Sequence, residues 1–182
     1  MPALSSVYTG AHGSLFMIQG SGAEGADAAA ILDLEAYSDL LPVGRLTGIE
    51  LYVDTDLEEF HEVGRRYATS LHPGNVHIHG KVSRAYVNGA LLYLLQGRGA
   101  QPAEVNEPFV QPALLMNVVL DDPAAPDQRL VLDVIDVKFE NWALAIPEDD
   151  FVMENLRFKA LKLNVRDEQG GNIARPEFPE SE

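Results

Sequence analysis

The segment from Arg129 to Arg166, RLVLDVIDVKFENWALAIPEDDFVMENLRFKALKLNVR, constrains the fold more than any other stretch of the chain. Two runs of alternating apolar and polar residues flank a Pro147-Glu148-Asp149-Asp150 turn, the pattern of two half-buried antiparallel strands. The alternation slips within each run. Leu130, Leu132 and Val134 share one parity, then the apolar set moves to Ile135, Val137 and Phe139, and then to Trp142, Leu144 and Ile146. Beyond the turn, Val152, Leu156, Phe158 and Ala160 share a parity, and Leu161, Leu163 and Val165 take the other. Strand side chains alternate faces with period two, so each slip demands a bulge or a change of packing partner. Long strands that change faces suit a curved sheet or a barrel wall. The expected fold is therefore mainly β: an antiparallel β-sandwich or split barrel with one short α-helix, formed by a single domain over residues 1–182.

A chain of 182 residues, 46% of them hydrophobic, can bury a real core. No apolar run approaches the roughly 18 residues of a membrane span. The opening MPALSSVYTGAHGSLFMIQG lacks the basic region and continuous apolar run of a signal peptide. The absence of cysteine removes disulfides, thiolate catalysis and zinc-thiolate sites together, and fits a protein made in the cytosol. A formal charge of −15 argues against binding to nucleic acid or anionic membranes, because phosphate contacts need Lys and Arg.

Along the chain, a short strand is expected over Ser14–Gln19. Residues Gly20–Ala30 (GSGAEGADAAA) carry no periodicity and read as a mobile loop. Ile31–Leu41 fits either helix or strand and is read as strand and loop, and Gly48–Thr55 as a cleaner strand with Ile49, Leu51 and Val53 on one face. Asp54–Gly64 suits one or two helical turns capped by Thr55 or Asp56. A further strand follows over Arg65–Ser70, and His72-Pro73-Gly74-Asn75 is a turn signal. Val76–Tyr86 alternates again. One helix is expected over Ala90–Gln96, capped by Asn88 and closed by Gly97. It is apolar almost all round, so its cover is either a neighbouring subunit or the chain's own sheet and loops. The proline-punctuated segment around residues 101–112 reads as a long mobile loop. Ala113–Leu120 reads as a strand and Asp121–Asp127 as a loop. Residues 168–182 read as an extended polar tail.

Candidate chemistry is sparse. His77 and His79 share a strand face, a spacing that can ligate metal, with His72 nearby, but no acidic residue adjoins them in sequence. Asp54, Asp56, Glu58 and Glu59 match a calcium loop only in acidity. Glu148, Asp149 and Asp150 follow Pro147 as a polar turn, Trp142 reads as core, and no serine stands in a nucleophile motif. We assign no catalytic, cofactor-binding or metal-binding residue, and expect no enzyme.

The hairpin LDVIDVKFENWALAIPEDDFVMENLRFKALKLNV resembles the C-terminal half of bacteriophage tail tube proteins, through its VKF, LAIPEDD and VMENLRFKA segments. The upstream GKVSRAYVNGALLYLLQG (Gly80 to Gly97) resembles the strand leading into the helix of such subunits. The likeness covers about half the chain. It implies a sandwich or split-barrel core beside a helix, with the long hairpin joining a ring-shaped barrel shared between subunits. It further implies a virion structural protein made in the host cytoplasm. Homohexameric rings would stack into a hollow conduit that DNA passes without specific binding, an acidic lumen favouring sliding. Sheath, baseplate and terminator proteins would be the other partners, with no membrane and no cofactor. Assembly would rest on the helix around Leu91–Leu95, the 101–112 loop and the 129–166 hairpin. Competing readings are a related component of a virion or contractile injection or secretion machine, a small-ligand barrel of the lipocalin sort, and a cupin-like metalloenzyme using His72, His77 and His79.

Overall fold

The computed structural model describes residues 8–32, 40–42, 46–86, 89–96, 111–122, 128–169 and 172–173. Its strands are β1 (Gly13–Gln19), β2 (Leu40–Pro42), β3 (Leu46–Phe60), β4 (Ser70–Ala85), β5 (Leu114–Asp121), β6 (Gln128–Ala145), β7 (Met153–Ala160), β8 (Lys162–Gln169) and β9 (Asn172–Ile173). They form one antiparallel sheet in the order β2-β1-β5-β6-β7-β4-β3, with β8 on β6 and β9 on β8. The sheet curls into a half-barrel.

β6 is the spine. Its first half pairs with β5 and β8 and its second half with β7. The slips in alternation are bulges. The register against β5 shifts between Val134 and Val137, where Asp136 adopts φ +55°, and the register against β7 shifts between Phe139 and Asn141. Each extra residue reverses the parity, so Val134, Val137 and Phe139 all reach the core despite their odd spacing. The third slip is a strand break. β7 ends at Ala160, Leu161 donates its N–H to the Ile135 carbonyl, and β8 then continues along β6.

Among the described residues two α-helices lie against the sheet, one more than the sequence led us to expect. The segment expected as a mobile loop, 20–30, is instead mostly α1 (Gly22–Leu32), which packs on β1, β5 and the second helix. Alanine has the best intrinsic helix propensity, and Ala28 and Ala29 are buried. The surrounding glycines give close approach: a Cβ on Gly25 would stand 2.0 Å from the Gly20 carbonyl oxygen. Ile31 and Leu32 close this helix rather than opening a strand, and β2 takes Leu40–Pro42. α2 (Ala90–Gln96) has the expected bounds. Its Leu91 and Leu94, each 1% exposed, sit in the chain's own core with Met17, Val82, Leu114, Phe139 and Phe158. Its expected caps, Asn88 and Gly97, lie outside the described residues, as do residues 101–110 of the expected long loop. The expected tail begins as strand: Glu168 and Gln169 pair with Ile173 and Asn172.

The stretch from Asp54 to Ser70 departs furthest from expectation. β3 runs straight through Asp54–Phe60, with no helical turn, and no strand forms over 65–69. His72-Pro73-Gly74-Asn75 lies inside β4, where a register shift opposite Asp56 absorbs it as a bulge. Proline is tolerated there because, among the described residues, β4 has no partner on its other side before Ile78. The chain reverses instead between His61 and Thr69, with Gly64 at φ +85° and the Arg65 N–H donating to the Glu62 carbonyl.

Candidate assembly surface

β3, β4, β7 and the second half of β6 form a four-stranded wall. Val82, Leu156, Phe158 and Phe139 point from it into the core. Gly80 is required there, since the Phe158 ring lies over it and a Cβ would stand 2.5 Å from Cζ. The opposite face is polar and exposed to half-buried. Paired positions place Glu50 beside Lys81 and Arg157, Tyr52 beside His79 and Lys159, and Ser83 beside Asn155. Ser83 donates to the Asn155 amide oxygen at 2.6 Å, and Lys159 pairs with Glu140 at 3.0 Å. Glu50 accepts a hydrogen bond from Tyr52 at 2.9 Å and so pushes the phenol above its usual pKa. Among the described residues, β3 pairs on one side only, and Lys138–Ala145 of β6 has β7 as its one partner. The wall thus ends in two open edges, which proteins close or cover because unpaired backbone groups recruit other strands.

At one end the β3–β4 hairpin outruns the wall. β7 stops opposite Ile78, so among the described residues Ser70–His77 and the matching part of β3 have no third strand beside them. The core-side face of this arm stays apolar. Ile78 is 9% exposed, whereas Val53, Leu57, Leu71 and Val76 are each more than half exposed. The other face holds the histidines singled out in the sequence. His79 meets Asp54 at 2.7 Å, His77 meets Asp56 at 3.2 Å, and His72 meets Ser70 at 3.0 Å. The structure brings them together as a ladder of separate pairs, supplying His77 and His79 with the acidic partners the local sequence lacked. Among the described residues, no three His, Asp or Glu side chains converge as a metal site.

The wall is pinned by a buried polar group that the sequence reading passed over. Glu154, fully buried on β7, accepts from the Arg84 guanidinium on β4 and from Trp142 Nε1 on β6 at 3.0 Å. One carboxylate therefore ties three adjacent strands. Its signal was present in the VMENLRFKA segment, where a lone Glu occupies a core-parity position. Ala28 and Ala29 of α1 and Leu91 and Leu94 of α2 join the core cluster of the sheet. Two clefts of about 530 and 470 Å³ lie at its margins, one beside Gly22, Asp136 and Leu161, the other beside Ser14, Leu46 and Val118.

No protein-family model and no curated protein sequence matches this chain. Solved structures do. A chain of the sheath–tube complex of an extracellular contractile injection system superposes with TM-score 0.58 at 8% identity, over 90% of this chain and 94% of that one. The tube-terminating cap of the anti-feeding prophage gives TM-score 0.59 at 10% identity, over 91% and 94%. The SPP1 tail tube gives TM-score 0.55 at 9% identity, over 91% and 82%. At such low identity the likeness speaks of fold, and the fold of this chain is that of tail tube proteins.

Proposed function

We propose that this chain is the structural subunit of a phage tail tube, forming stacked hexameric rings around a conduit for DNA. The observation that carries the reading is the wall with its two open edges. Its four strands alternate in direction, so a rotated second copy presents its β6 edge antiparallel to β3. Any cyclic ring can therefore close without a parallel mismatch, leaving no free edge. Six copies would give about 24 strands, beyond the 16–18 strands at which barrels already hold an aqueous channel. The polar face would then line the channel, acidic along β3 and basic along β7. Sheath, baseplate and terminator proteins would be its partners within a virion tail. The likeness to the injection-system chains supports a second reading, a tube component of a contractile injection machine.

Negative-stain electron microscopy of the purified protein across a concentration series tests both. Hollow rings or tubes of uniform width with six-fold symmetry support the proposal. A chain that stays monomeric at every concentration refutes it. Incorporation into a sheathed particle that carries no DNA favours the second reading.

A further inference from the structure

The two ends of the wall are chemically opposite. β4 begins beside the 61–69 turn, and its last residue, Ala85, pairs with Met153 at the start of β7. The 146–152 turn therefore lies at the far end, sixteen residues of strand away, or roughly 50 Å at about 3.3 Å per residue. The first turn presents Arg65 and Arg66 between Val63 at 106% and Tyr67 at 80% exposure. The second presents Glu148, Asp149 and Asp150 between Ile146 at 72% and Phe151 at 75% exposure. Each turn pairs an apolar contact with charge: the first is net positive, Arg65 and Arg66 outnumbering Glu62, and the second is wholly negative.

We infer that the 61–69 turn of one copy docks on the 146–152 turn of a second copy, stacking subunits head to tail along the strand direction. The inference rests on the tube reading and adds the residues that join one layer to the next. Val63 and Tyr67 pack against Ile146 and Phe151, while Arg65 and Arg66 face the three carboxylates. Such a contact is heterologous, so repeating it produces an open filament rather than a closed dimer. Opposite charges at the two ends fix polarity, since a head meeting a head sets arginine against arginine. The Arg65–Glu62 pair, 3.5 Å and exposed, is weak enough to exchange for the new partner.

Charge exchange tests the contact directly. Arg65→Glu with Arg66→Glu, and separately Asp149→Lys with Asp150→Lys, should each raise the concentration needed for tubes at least about tenfold in sedimentation and microscopy. Combining all four substitutions should restore assembly. All four side chains stand in exposed turns, and circular dichroism of the unassembled protein verifies the fold. Assembly unaffected by either pair overturns the inference, as does failure of the combined variant to recover. A wild-type chain that never assembles instead refutes the tube reading, and isolated rings that never stack refute this contact alone.

Discussion

Replacing Glu154 by leucine should be the most damaging single change in the wall. Glu154 is fully buried, and its Arg84 partner has only 8% of its side chain exposed. Removing the carboxylate leaves a buried guanidinium without a counter-charge, which typically costs about 3–5 kcal/mol. The Trp142 N–H also loses its acceptor, on the order of 1 kcal/mol more. Arg84 cannot compensate locally, because its Nη2 is already buried without a hydrogen-bond partner. Since the two losses overlap, we expect about 4 kcal/mol, a large share of the roughly 5–15 kcal/mol that holds a domain together. Trp142 is the sole tryptophan, so urea unfolding followed by its fluorescence reads the wall itself. Pairing Glu154→Leu with Arg84→Met should recover most of the loss, because an apolar pair of similar volume replaces the buried ions. A single variant that loses less than about 1 kcal/mol, or a double variant no better than the single, would refute the assignment of Glu154 as the pin.

Three further outcomes follow. Gly80→Ala forces a methyl group against Phe158 and the Glu50 carbonyl oxygen, 2.3 Å from its ideal position, and should lower stability by about 1–3 kcal/mol in thermal unfolding. Leu94→Ala should cost about 2–5 kcal/mol in the same assay even at concentrations where no assembly forms, because α2 is covered by the chain's own sheet. Glu50→Gln should bring the ionisation of Tyr52 back down in a spectrophotometric titration, because the carboxylate is what holds the phenol protonated.

The sequence was most legible where periodicity and packing coincide. Along β6 the core is met by Val131, Val134, Val137 and Phe139, although Leu144 near its end is exposed, so each slip in parity had to be a bulge or a break, and Asp136, Glu140 and Leu161 mark them. α2 was legible because a short leucine-rich run between turn residues has few alternatives. α1 was not, because alanine and glycine leave no apolar stripe for a periodicity argument to detect. The free arm was misplaced for another reason. Asp54, Asp56 and Glu58 suit a capped, solvated helical turn in one dimension, and only the antiparallel register sets them against His77, His79 and His72. His72-Pro73-Gly74-Asn75 signals a turn because proline and glycine ordinarily break strands. An arm that has no third strand among the described residues can hold both.

The exposed apolar side chains make the last link between fold and assembly. Scattered singly they would need no explanation. Here Val53, Leu57, Leu71 and Val76 share one face of the free arm, Val63 and Tyr67 cap it, and Ile146 and Phe151 close the opposite end of the wall. Between those ends the outer face is polar and the inner face is packed by the helices. The wall is therefore finished on its two faces and unfinished at its edges and ends. Backbone pairing can satisfy the edges laterally, and apolar burial with opposite charge can satisfy the ends axially. A second copy placed in each of those two directions supplies what a single chain lacks.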